Sequence, residues 1–262
     1  MTMSTIKDPV DRLIEELESV ELLAEDGQNL ETLWHRACIN LLIESILYQL
    51  RGRDDFFVGG NMFIYFNLDQ ARNRDFRGPD FFFVDGVSLL PQREYWATWL
   101  EGGRYPDVII ELLSPSTAEE DRTTKYQVYQ DIFHTRNYYC YDPFTRQLEG
   151  WEFRQGQYEP LTPDAHGRLW CSALGLWLGT WEGEYQRGTA TWLRWYDPEG
   201  NLVLLEEEAA RQRAEQEHQR AEQEAQRAEQ ERQRAEAAEA ELARLRELLA
   251  RQQEERGENG EE

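Results

Sequence analysis

Residues 106–129 read PDVIIELLSPSTAEEDRTTKYQVY, from Pro106 to Tyr129, and the fold turns on how this stretch divides. Its first part, Val108 to Leu113, is an almost unbroken apolar run of strand length, which suits a strand covered on both faces. Glu111 interrupts it. By alternation Glu111 shares a face with Ile109 and Leu113, while Val108, Ile110 and Leu112 point the other way. The second part predicts a helix that ends near Phe133. A Ser116-x-x-Glu119 capping box opens it, with Asp121 as a competing N-cap further along. On that helix Lys125, Val128, Tyr129 and Ile132 stand at i, i+3, i+4 and i+7, a stripe that the strand–helix connection returns over the sheet.

Working outward, RGPDFFFVDG predicts a strand near Asp80 to Val84, with Gly78-Pro79 at its opening and Asp80, Phe82 and Val84 on one face. NYYCYDP, Asn137 to Pro143, predicts a strand after the helix. FFVGGNMFIYF, Phe56 to Phe66, is rich in β-formers and carries a Gly-Gly bend or bulge. Two helices open the chain, at about Pro9 to Leu23 and Leu30 to Leu50. Arg93 to Leu100 reads as a short helix, and RQGQ (Arg154 to Gln157) and DPEG (Asp197 to Gly200) as hairpin turns. Helices on a mixed sheet with antiparallel additions give an α/β (α+β) class.

Composition bounds the domain. All 32 aromatic residues of the 262-residue chain lie at or before Tyr196. A segment without aromatics builds no core of its own. The expectation is a folded domain over residues 1–205 and a charged helix over residues 206–262. That tail repeats RAEQEHQ, RAEQEAQ and RAEQERQ from Arg213, Arg220 and Arg227, and Ala214, Ala221, Ala228, Ala235, Leu242 and Leu249 keep a seven-residue period. The partner seam is Glu217, Glu224, Glu231, Ala238 and Leu245, so only its last heptads could clasp a second copy. A solvated single helix is the alternative, with a frayed acidic end.

The formal charge is -23, of which the tail carries -8 and the rest -15. This excludes a general DNA-coating protein, whose affinity comes from phosphate neutralisation. It leaves room for an enzyme with a local metal-loaded cleft. The three cysteines, Cys38, Cys140 and Cys171, are odd in number and widely spaced, which suits buried thiols in a reducing compartment. With no membrane-length apolar run and no signal-type N-terminus, a cytoplasmic protein is expected.

Three residues carry the chemistry. Glu111 inside an apolar strand is costly unless paired or metal-bound. Lys125 on the inward stripe wants an acidic partner or a catalytic task. Asp80 opens the neighbouring strand. The plain alternatives are a salt bridge for Glu111, snorkelling for Lys125 and a turn aspartate for Asp80. Together, two acids at the ends of adjacent strands offer hard oxygen ligands to Mg²⁺, with a strand carbonyl as a third. The lysine adds positive charge beside them. Asp107 repeats the Pro-Asp dipeptide but lies on the same strand as Glu111, so it reads as a strand-start residue.

The stretches RGPDFFFVDG, PDVIIELLSPSTAEEDRTTKYQVY and NYYCYDP resemble the Uma-type restriction endonuclease family, expanded in cyanobacteria and part of the PD-(D/E)xK, restriction-endonuclease-like superfamily. The resemblance covers about Leu22 to Leu178. It implies a nuclease-type mixed sheet and an Mg²⁺-dependent endonuclease, Mn²⁺ substituting, that hydrolyses DNA through a metal-activated water. By position it makes Asp80 the motif aspartate and Glu111 the glutamate, with the Leu112 carbonyl completing the metal set. One departure stands out: the usual lysine position, two after Glu111, is Leu113 here, and Lys125 takes its place. Asp121 and Tyr129 match other recurrent positions. His35 matches a recurrent helix histidine at the site edge, against the plainer reading of a satisfied core or surface histidine. Glu44 is a candidate outer ligand. Ser114 and Ser116 shape the loop. The resemblance also implies a homodimer, with no membrane and no small-molecule cofactor. The rival reading is a non-catalytic interaction or regulatory protein on a nuclease fold, dimerising through its C-terminal helix.

Overall fold

The computed structural model describes residues 32–73, 78–88, 92–115 and 117–258. The helix expected at Pro9 to Leu23 lies outside them. In chain order the elements are α1 (Leu33–Gln49), β1 (Phe56–Gly59), β2 (Ile64–Tyr65), α2 (Leu68–Arg72), β3 (Phe81–Asp85), β4 (Trp96–Ala97), β5 (Val108–Leu112), a helical run α3 over 118–133, β6 (Asn137–Asp142), β7 (Gln147–Arg154), β8 (Gln157–Pro160), β9 (Leu169–Cys171), β10 (Leu176–Tyr185), β11 (Gly188–Tyr196) and α4 (Glu206–Glu258). The chain divides into two compact units, Met1–Glu206 and Glu207–Glu262.

The first unit is α+β, built on a six-stranded mixed sheet in the order β1-β3-β5-β6-β7-β8. Only β5 and β6 run parallel in it, Val108 facing Asn137 and Leu112 facing Tyr141. Parallel neighbours need a crossover, and α3 supplies it. The other pairs are antiparallel, with Phe81 of β3 opposite Ile110 of β5. Each strand splits its side chains between two cores. Phe81, Phe83, Val108, Ile110, Leu112, Tyr139 and Tyr141 pack under α1 and the small β9–β11 sheet. Phe82, Val84, Ile109, Leu113, Tyr138 and Cys140 pack with Tyr129 and Phe133 of α3. Each such side chain, fully buried, contributes ~1.5–3 kcal/mol. That is why the apolar runs become central strands.

Three local expectations are corrected. Residues 93–100 form no helix: Trp96–Ala97 is a strand, parallel to β2, with Trp96 N–H donating to Phe63 O and Thr98 N–H to Tyr65 O. Burial of Trp96 drives that pairing. α3 begins at Ala118, Thr117 occupies the N-cap position without a side-chain cap, and the Thr117 hydroxyl meets Ser114 instead. Ser116, the expected cap, lies outside the described residues. Asp121 sits inside the helix and is buried, so it caps nothing. The RQGQ turn does join β7 to β8, with Gln155 and Gly156 both at positive φ, the backbone that a tight hairpin requires.

α3 is not a plain α-helix. α turns at Ala118–Glu120 and Tyr126–Val128 alternate with wider π turns at Asp121–Lys125 and Tyr129–Phe133. Alternating turns average about four residues, so side chains four apart stay on one face. The inward ladder is therefore Asp121, Lys125, Tyr129 and Phe133. Ile132, expected on this face, is 42% exposed.

α4 is one long helix with charged residues all round. Arg211 pairs with Glu207 and Arg232 with Glu229 along it. Leu242, Leu245, Leu248 and Leu249 are exposed on it. No helix among the described residues is long and apolar enough to cross a membrane.

Candidate active site

The site lies where β3 begins and β5 ends. Antiparallel pairing of Phe81 with Ile110 carries one step further to bring Asp80 opposite Glu111. Asp80 Oδ2 accepts a hydrogen bond from Leu112 N–H at 2.6 Å. Its Oδ1 is 2.8 Å from His35 Nε2. That histidine sits in the first turn of α1, where the Thr32 hydroxyl caps His35 N–H at 3.1 Å and so sets where the turn starts. Backbone packing also holds Asp80. A Cβ at Gly60 would come within 2.1 Å of the Asp80 carbonyl oxygen, so only glycine lets β1's exit pass there.

Glu111 points to the opposite sheet face from α1, toward α3. Its side chain is only 1% exposed. Tyr129 Oη donates to Oε1 at 2.9 Å, and Lys125 Nζ stands 3.0 Å from Oε2. Lys125 also reaches Asp121 Oδ1 at 2.8 Å. One ammonium thus serves the carboxyls of Glu111 and Asp121, with Asp80 near enough to act on both electrostatically. The consequence is electrostatic frustration. Burial pushes the Glu111 carboxyl well above the usual carboxylate range; Lys125 opposes this, and Asp121 and Asp80 reinforce it. Burial likewise raises Asp121. Burial disfavours the charge on Lys125 too, but Glu111, Asp121 and Asp80 outweigh it and hold the ammonium well above its ordinary value.

A family profile described as Uma2, putative restriction endonuclease, matches residues 12–181. The chain belongs to the Uma2 family. The match takes in β3, β5 and α3, and with them Asp80, Glu111, Asp121 and Lys125. Membership of Uma2 supports a nuclease. A solved structure, a putative nuclease belonging to DUF820 from Anabaena variabilis ATCC 29413, is 15% identical. The likeness covers 58% of this chain and 86% of that one, with a TM-score of 0.39. No curated protein matches the chain.

Within this Uma2 fold the structure draws together Asp80, Glu111, Lys125, Tyr129 and His35. It does not bring in Glu44, which is exposed and 3.3 Å from the Tyr185 hydroxyl. Nine residues separate it from His35 along α1, a rise of about 13 Å. Asp107 is at the far end of β5, accepting from Asp85 N–H at 2.8 Å. Sequence reasoning undervalued Asp121. The signal was there: Asp121 and Lys125 are four apart, the spacing of a helical ion pair.

Among the described residues no group of three or more His, Cys, Asp and Glu side chains is assembled to hold a metal ion. The donor chemistry nonetheless fits Mg²⁺, which takes one or two carboxylates and fills its remaining positions with water and phosphate oxygens. Asp80 and Glu111 are those carboxylates. Leu113 N–H donates to Tyr141 O on β6, so the neighbouring residue Leu112 turns its N–H, and with it its carbonyl, to the edge where Asp80 lies. All three free cysteines, Cys38, Cys140 and Cys171, are buried away from this role.

Proposed function

We propose that this Uma2 protein is a divalent-cation-dependent endonuclease that hydrolyses DNA phosphodiester bonds, with Asp80, Glu111 and the Leu112 carbonyl holding Mg²⁺ and Lys125 beside the reacting phosphate. The observation that supports this reading is the buried surplus of negative charge: three carboxyls share one ammonium, and one of them is pushed toward its protonated form. A bound cation relieves that surplus. When bound, Mg²⁺ supplies charge stabilisation at a phosphate oxygen and lowers the pKa of water.

The chain's own residues do the rest. His35 and Leu112 N–H hold the Asp80 carboxylate from two sides. Tyr129 fixes one oxygen of Glu111 and leaves the other to Lys125. Lys125 stays charged, because the acids around it outweigh its burial. Its part is therefore to donate hydrogen bonds and positive charge, not to abstract a proton. The carboxylates face opposite needs: Asp80 is half-buried and reachable, Glu111 is sealed.

Cleavage of varied DNA by the purified protein in Mg²⁺ or Mn²⁺ tests the proposal. Asp80→Ala, Glu111→Ala and Lys125→Ala should each lower the rate by ~10² or more. Equal cleavage by the wild type and all three variants removes the assignment. A second reading has one observation in its favour: ion pairs already satisfy Glu111 and Lys125 without a cation, as in a purely structural cluster on an interaction protein. Calorimetric titration with Mg²⁺ decides between them, since no binding favours the second. In both readings we assign α4 as a homodimer clasp, through Leu242, Leu245 and Leu249, which are exposed and at heptad spacing. Replacing Leu242 and Leu245 by Gln should halve the mass in sedimentation. An unchanged mass rules out the clasp.

A further inference from the structure

A cleft of about 520 Å³ opens beside the candidate site, lined among others by Trp34, His35, Ser114, Phe144, Arg146 and Thr191. Its volume lies within the ~300–1,000 Å³ of small-molecule sites. His35 belongs to both: its Nε2 is 2.8 Å from Asp80, and it also lines this wall. Ser114 follows the end of β5, three residues after Glu111. The cleft is therefore continuous with the pocket that holds the acids.

Its aromatics differ from those of the core. Phe144 is 75% exposed, an unusual position for so large an apolar ring. Its backbone is held, since Asp142 Oδ1 accepts from Phe144 N–H at 2.8 Å and Thr145 N–H at 3.2 Å. Trp34 is fixed more firmly. It stacks on Trp192 with centroids 6.1 Å apart and planes 4° apart, and its Nε1–H donates to Thr191 O at 3.4 Å. Fixed aromatic groups bind flat ligands with little loss of side-chain freedom. Arg146 adds a guanidinium to the same wall, 2.9 Å from Glu182 Oε1 in this structure.

We infer that this cleft receives an unpaired nucleobase of a single-stranded segment of the substrate, stacked against Phe144 and Trp34, next to the phosphate at the acids. The inference rests on the nuclease reading and specifies its substrate. Charge selects the occupant. The chain outside the tail has a formal charge of -15, so neutralising the dense phosphates of a duplex is a poor source of affinity. Stacking of bases on aromatic rings draws on no net charge and works only where bases are unpaired.

The test is fluorescence anisotropy on the full chain with labelled oligothymidylate, alone and paired with oligoadenylate, in Ca²⁺ to hold back cleavage. The wild type should prefer the single strand. Phe144→Ala should weaken single-strand binding about tenfold and leave the duplex unchanged, and Phe144→Trp should restore it. Phe144 is exposed, so an unchanged thermal midpoint for Phe144→Ala is expected and confirms its folding. Equal single-strand binding by wild type and Phe144→Ala overturns the cleft, as does a wild type that prefers duplex or binds neither. Metal-dependent cleavage that survives such a result leaves the nuclease reading standing. Single-strand binding through Phe144, without cleavage in any divalent cation, keeps the cleft and removes the nuclease.

Discussion

The two ends of β5 each hold a carboxylate, and they behave differently. At the entry, Asp107 is partly exposed, accepts one backbone hydrogen bond and sits 3.5 Å from Arg104, itself near half-exposed. The charges balance and water reaches them. At the exit, four residues on, Glu111 is sealed among Tyr129, Lys125 and Asp121, with more acids than bases. Both aspartate-bearing strand starts, Asp80 and Asp107, follow a proline. A short motif therefore does not mark the site. What marks it is uncompensated charge where solvent cannot help.

The largest break in this comparison comes from the cations. Lys125→Met leaves Glu111 and Asp121 buried without their ammonium and should destabilise the folded unit by ~3–5 kcal/mol. Arg104→Met at the entry should cost at most ~1 kcal/mol. Urea unfolding followed by tryptophan emission reads this unit alone, because no Trp lies beyond Trp195. Similar costs at both ends would erase the distinction.

Next is the backbone that delivers Asp80. Gly60→Ala drives a Cβ into the Asp80 carbonyl and the Ile39 side chain. Overpacking of this kind costs ~1–3 kcal/mol, and cleavage should fall with it because Asp80 is displaced. Gly52→Ala, with nothing within 4 Å of the new Cβ, is the matched control for stability and cleavage.

The smallest effect is in pH. Burial, with help from Asp121 and Asp80, moves the Glu111 carboxyl from an ordinary 4.5 up to about 8. A carboxyl whose folded value is raised contributes stability that is complete below its unfolded value and lost as pH rises through the folded one. In the absence of divalent cations, thermal midpoints should therefore decline between about pH 4.5 and pH 8 from this group. Glu111→Gln should remove that decline, and Asp107→Asn should not. Saturating Mg²⁺ should shallow it, because the cation competes with the proton. Identical pH slopes in wild type and Glu111→Gln would disprove the strain at the exit.

Much of this contrast could be read along the chain. The face that Glu111 occupies follows from strand alternation, and β5 is legible because its apolar run has strand length and a helix after it. Asp80 was legible as a neighbour because Phe81 to Val84 is a second such run. The phase of α3 was not. Periodicity arguments assume 3.6 residues per turn, and the widened turns move Ile132 outward and bring Asp121 and Phe133 in. β4 was hidden for another reason: it is two residues long and owes its form to Trp96 packing and pairing with β2, a distant segment. Glu44 shares a helix with His35, but a one-dimensional reading gives no measure of how far along that helix a site extends.

The mixed winding of α3 also makes it a ruler. Removing one residue from either wide turn would tighten it to an ordinary one, a gain in regularity at no cost in backbone hydrogen bonding. It would also rotate everything downstream by about 100°. A deletion before Lys125 would swing the ammonium off the carboxylates it neutralises. One after it would swing away Phe133, which anchors the helix to the sheet. Natural variation in this helix should therefore exchange residues freely on its outer side while conserving their number.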